Sequence, residues 1–135
     1  MLFRSSSVFA QQPTKRLCLP FRDTPSSLRD IYEAIESIER FVEGMDFSAF
    51  QTDEKTKAAV ERKLLVLSEA ARRLGDDAER LFPNIPWANI RGIGNWLRHQ
   101  YDSVDPSVIW QTAEHDLPPL KFAVGKILAS SEGRL

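Results

Sequence analysis

Along most of this chain, apolar residues recur three and four positions apart. From Thr24-Pro25, a capping residue followed by a proline suited to a first helical position, Leu28, Ile31, Tyr32, Ile35, Ile38 and Val42 keep that spacing up to Gly44. The pattern predicts a first helix that stops at the glycine. A second helix opens at Thr52 and places Asp53 and Glu54 at its positive amino end. It carries Val60, Leu64, Leu67, Ala71 and Leu74 as a heptad-like stripe and stops at Gly75. A short helical turn with Ala78, Leu81 and Phe82 leads into the Pro83-Asn84-Ile85-Pro86 turn, and Pro86 opens a third helix.

In the third helix, Trp87, Ile90, Gly94, Leu97 and Tyr101 alternate steps of three and four, so all fall on one face, expected to be buried. Arg91, Asn95, Arg98, His99 and Asp102 fall within an arc of roughly 100° beside it, at 100° per residue. Asp105-Pro106 starts a fourth helix bearing Val108, Ile109, Trp110 and Ala113. Pro118-Pro119 is expected to break or restart it before Leu120, Val124, Ile127 and Leu128. No strand pattern appears, and four to five helices with short connections predict an all-α antiparallel bundle.

Residues 1–22 stand apart, with four basic residues, no acidic one and no sustained periodicity; they read as a flexible basic extension ahead of a helical domain spanning 23–135. No long apolar run there supports an export signal. The whole chain, 135 residues with 42% hydrophobic and 27% charged content, has the balance of one compact domain. Its formal charge of −1 gives no overall field for nucleic acid, so any RNA contact must come from a local patch. The single cysteine, Cys18, excludes an internal disulfide or a cysteine-cluster zinc site and fits a reducing cytoplasm. No stretch approaches the roughly 20 apolar residues that span a bilayer, so a soluble protein without a membrane role is expected.

Standard catalytic motifs are missing: no P-loop, no H-E-x-x-H, no E-x-x-H and no G-x-S-x-G. The Gly92-x-Gly94 pair follows no strand, which argues against a dinucleotide fingerprint. Each glycine costs a helix roughly 1 kcal/mol relative to alanine. Close helix packing or close approach of a phosphate would offset that cost. Chemistry is concentrated in RGIGNWLRHQYDSVDPSVIW, residues 91–110, which hold one of the two histidines and two of the three tryptophans. The other histidine, His115, stands between Glu114 and Asp116 and reads as a surface residue.

Three stretches, LRDIYEAIESIERFVEGMDFSAF, DEKTKAAVERKLLVLSEAARRLGDDA and PWANIRGIGNWLRHQYDSVDPSVIWQTAEHDLPPL, occur in an order and at a spacing that resemble the HepT-like family of HEPN-domain ribonuclease toxins. The resemblance covers residues 28 to about 128. It implies a HEPN-type bundle that forms a homodimer and cuts RNA without metal or other cofactor. It also implies a nucleotidyltransferase antitoxin of the MntA type as partner. The family's motif is an Arg, then a polar residue, then a His with a Tyr two beyond it. Asn95, His99 and Tyr101 match, but the arginine position is occupied by Gly94. Arg91 and Arg98 are the available substitutes. Arg91 is about 12 Å from His99 along one helix axis, so a shared phosphate would need a two-fold interface. In the family, the tyrosine matching Tyr101 receives AMP from the antitoxin.

Metal-free RNA cleavage requires a base near neutral pKa for the 2′-hydroxyl proton, which His99 can supply. Guanidinium groups suit the charge that develops on phosphorus, so Arg91 and Arg98 are candidates and Asn95 a positioning donor. The alternative is a HEPN module that binds RNA, nucleotide or a protein partner without cutting, with Gly94 as its main support. A purely structural helical dimer is the third reading.

Overall fold

A computed structural model describes residues 18–99 and 104–133. The described part is all-α, with no strand among its residues. Helix α1 spans Cys18–Val42, α2 Phe47–Thr52, α3 Glu54–Leu74, α4 Asp76–Leu81, α5 Trp87–His99 and α6 Pro106–Gln111. A π-helical turn, Thr112–Asp116, then leads into α7, Leu117–Gly133. Helix α3 lies between α1 and α5, and α7 packs on the other flank of α1. The short α2 rests on α3 and α6. This is the helical bundle that the periodicity predicts.

The predicted stripes form the core. Leu28, Ile31, Ile35 and Ile38 of α1 are buried, as are Val60, Leu64, Leu67, Ala71 and Leu74 of α3 and Trp87, Ile90 and Leu97 of α5. The Trp87 indole nitrogen donates to the Phe82 carbonyl at 3.0 Å, which satisfies its polar atom inside the core. Asp53 caps α3 by accepting from the Thr56 amide at 3.0 Å; that bond, with the Thr56 hydroxyl, holds its carboxyl below the usual aspartate value. Helix α3 ends at Gly75, whose φ of 56° lies in the left-handed region that glycine enters without strain.

Three local expectations are corrected. Helix α1 does not begin at Thr24-Pro25: the helix already runs from Cys18, and Pro25 lies inside it. An interior proline removes one donor and crowds the carbonyl four residues back, a cost that burial of Ser27, Leu28 and Ile31 in the following turns helps offset. The Thr24 hydroxyl donates across the bundle to Asp77 Oδ2 at 3.3 Å. Residues 1–17 of the expected basic extension lie outside the described residues. Between the first two predicted helices the structure adds α2, capped by Asp46, whose side chain accepts from the Ala49 amide.

The third correction concerns Pro118-Pro119, which neither break nor restart the last helix. The π turn immediately before them widens the ladder, and the Leu117 amide reaches back five residues to the Thr112 carbonyl. The prolines then occupy the second and third positions of α7, where their missing donors interrupt no regular α-helical stretch. Ile109 and Thr112 before the turn and Leu117, Leu120 and Val124 after it all remain buried.

Candidate functional site

Helix α5 carries the candidate chemistry, and its placement follows from one close contact. Gly94 is buried against Ser68 of α3. A β-carbon at position 94 would stand 1.8 Å from the Ser68 hydroxyl oxygen and 2.4 Å from its Cβ. No side chain fits there. Ser68 turns its hydroxyl to the Leu65 carbonyl at 2.9 Å, and the neighbouring Ala70 and Ala71 keep the α3 surface low. Close packing therefore accounts for Gly94, whereas a β-carbon at Gly92 would meet nothing within 4 Å.

The predicted polar stripe divides in two. Arg91 and Arg98 lean towards α3. Arg91 bridges to Glu79 of α4 at 2.6 Å and donates to the Gly75 carbonyl at 3.0 Å, at the open carboxyl end of α3. The hydrogen bond from Arg91 holds the Glu79 carboxyl below the usual glutamate value, and the guanidinium also lies 5.7 Å from the Trp87 ring centre. Arg98 pairs with Glu69 at 2.6 Å. Its Nη1 is 3.7 Å from where a β-carbon of residue 94 would stand.

Asn95 and His99, beside the two arginines on the same arc of α5, are exposed. They are four residues apart and so lie one turn above the other. His99 is the last residue of α5. Tyr101 and Asp102 lie outside the described residues.

Beside this face opens a groove of about 480 Å³, which the sequence reading did not identify. Asn89, Gly92 and Trp96 of α5 form one wall; Ser107 and Gln111 of α6 and His115 and Asp116 of the π turn form the other. Burial raises the Asp116 carboxyl above the usual aspartate value, an effect that the His115 charge opposes. His115 is exposed, as expected. Its place in the groove was not legible, because the π turn that aims it leaves no simple periodic signal. Among the described residues, no group of three or more His, Cys, Asp or Glu side chains could hold a metal ion, and no helix is long and apolar enough to cross a membrane.

The family described as Ribonuclease HepT-like matches residues 31–127. The chain is 43% identical over 100 residues to "Probable ribonuclease HepT" of Thermococcus cleftensis, covering 74% of this chain and 91% of that protein. It is 34% identical over 116 residues to "Putative RNase MJ1216" of Methanocaldococcus jannaschii, covering 86% and 96% respectively. No solved structure matches the chain at a significant level.

Proposed function

The chain belongs to the HepT-like ribonuclease family, and from that premise we propose that it is a metal-independent endoribonuclease, the toxin of a toxin–antitoxin pair, acting through His99 with Arg98 as its main cation. The observation that carries this reading is the Arg98 guanidinium lying over position 94. The family's arginine cannot occupy that position, because Ser68 fills the space, yet a guanidinium stands over it from one turn further along the same helix. Arg91 is committed to Glu79 and the end of α3, and its role is to hold the bundle.

In the proposed reaction, the His99 imidazole takes the proton of a 2′-hydroxyl, and the freed oxygen attacks the adjacent phosphorus. The bond from phosphorus to the 5′-oxygen breaks, that oxygen takes a proton from water, and His99 returns its proton to solvent. The products are a 2′,3′-cyclic phosphate and a 5′-hydroxyl. Arg98 offsets the charge that develops on the non-bridging oxygens, and the Asn95 amide, one turn below His99, positions the strand. The substrate phosphate shares or displaces the Arg98–Glu69 pair.

His99→Ala tests the reading. It should abolish RNA cleavage and growth toxicity and leave the melting temperature nearly unchanged, since an exposed side chain contributes little to the core. Equal cleavage by the variant would remove His99 from the role. A second reading, a module that binds RNA or a partner without cutting, is favoured by the loss of the motif arginine. It takes over if the wild-type protein leaves every RNA intact.

The same reading includes a homodimer that brings two α5 carboxyl ends together, which light scattering at micromolar concentration would reveal. It also includes control by an MntA-like nucleotidyltransferase that attaches AMP to Tyr101. Added bulk and a negative phosphate two residues beyond His99 would exclude RNA. Co-expression with such a transferase should add the mass of AMP at Tyr101, and Tyr101→Phe should lose both the mass and the protection. Neutralisation without any added mass would replace the tyrosine switch with direct blocking of the His99 cleft.

A further inference from the structure

The groove between α5 and the α6–π-turn segment combines an aromatic ring, an open glycine and several polar side chains. Its α5 wall places a half-buried indole, Trp96, next to the bare backbone of Gly92, where a β-carbon would meet no other part of the fold within 4 Å. The indole therefore lines the groove beside open space. The same wall carries the Asn89 amide, and the facing wall carries the Gln111 amide together with His115 and Asp116. Its volume of about 480 Å³ falls within the roughly 300–1,000 Å³ of small-molecule sites. The π turn that presents His115 and Asp116 is of a kind often found at functional sites.

We infer that this groove is a subsite for an unpaired RNA base, stacked on the Trp96 indole and held at its edge by the Asn89 and Gln111 amides, beside the phosphate that His99 attends. The inference rests on the ribonuclease reading and deepens it by naming single-stranded RNA as the substrate. Three arguments select this occupant. An aromatic face flanked by amides and carboxylates is how proteins hold splayed bases, by stacking and by hydrogen bonds to base edges. Asp116 on the wall would repel a phosphate and can accept from an exocyclic amine, so the base rather than the backbone enters. The groove also lies near His99 on the same helix: Trp96 precedes His99 by three residues, about 4.5 Å along the axis at 1.5 Å per residue. A base on Trp96 therefore belongs to a nucleotide adjoining the scissile phosphate.

The experiment measures binding of a fluorescently labelled 2′-O-methyl hexanucleotide, which lacks the attacking hydroxyl, together with cleavage of the matching RNA strand. Gly92→Leu fills the groove from a position with open space around it, so the fold is retained. Trp96→Ala removes the stacking surface. Each should weaken binding by about tenfold or more, the usual effect of losing one base–aromatic stack. Phe122→Ala, on the exposed side of α7 and away from the groove, should bind as the wild type does. The wild type should also prefer the single strand to the same sequence annealed in a duplex. If it cleaves RNA but Gly92→Leu binds and cuts like the wild type, the subsite is overturned and the ribonuclease reading stands. If the wild type neither binds nor cuts either strand, the ribonuclease reading fails and takes the subsite with it.

Discussion

Gly94 of α5 and Ser68 of α3 are in such close contact that a β-carbon on the first would stand 1.8 Å from the hydroxyl oxygen of the second. This one contact sets how near the two helices lie. It also leaves no room at position 94 for anything larger than glycine.

Gly94→Ala should therefore destabilise the protein by about 1–3 kcal/mol, the usual cost of overpacking a core, even though alanine is the better helix former. Gly94→Arg, which restores the family motif in sequence, should fold worse still and gain no activity. Ser68→Gly combined with Gly94→Ala should recover part of the loss. Chemical denaturation of the two single variants and the double variant measures this coupling, and strictly additive effects would contradict the contact.

The sequence made the long helices legible because burial is periodic. Val60, Leu64, Leu67, Ala71 and Leu74 needed only a stripe of spacing to be placed. Helix α2 was not legible, since the six residues of Phe47–Thr52 are too few to establish a period. For the site, spacing put Arg91, Asn95, Arg98 and His99 near one another on α5 but gave no partners. Glu79 and Glu69, which draw the two arginines towards α3 and α4, are 12 and 29 residues away in the chain, and such distant pairings leave no local trace.

Arg91→Ala should lower stability by about 1–2 kcal/mol, because it strips a charged donor from the Gly75 carbonyl at the end of α3. Cleavage per folded molecule should be unchanged. Thermal melts alongside activity normalised to folded protein separate the two. A loss of activity without a loss of stability would return Arg91 to the catalytic group.

Arg98→Ala should do the reverse. Its pair with Glu69 is partly exposed on both sides, so stability should change by about 1 kcal/mol or less. Cleavage should fall about a hundredfold or more, as when a donor to a developing oxyanion is removed. Glu69→Gln frees the guanidinium and should raise cleavage. Changes of opposite sign for the two variants in a single-turnover assay are the signature, and a drop with Glu69→Gln would count against it.

Asp116 gives the protein a pH dependence whose sign follows from burial. Its folded-state pKa lies above the ordinary 3.8, so the folded protein disfavours the carboxylate. Relative to neutral pH, the group adds stability below 3.8 and loses it as pH rises through the raised folded value. Asp116→Asn should therefore stabilise the protein at neutral pH, and the gain should vanish in acid below 3.8. A gain of the same size at every pH would point to packing instead of charge.

The rod from Pro106 to Gly133 is out of step with itself by one residue. Its buried positions run Ile109, Thr112, Leu117, Leu120, Val124, and the gap of five between Thr112 and Leu117 is longer than any step of a regular helix face. A plain α-helix would keep the same face towards the core with a gap of four, so the core needs one residue fewer than the chain supplies. Pro118 and Pro119 keep the surplus from being absorbed, because neither can donate to a regular ladder. The register of the bundle has thus been kept while one position was released from it, and the loosened turn hands His115 and Asp116 to the groove.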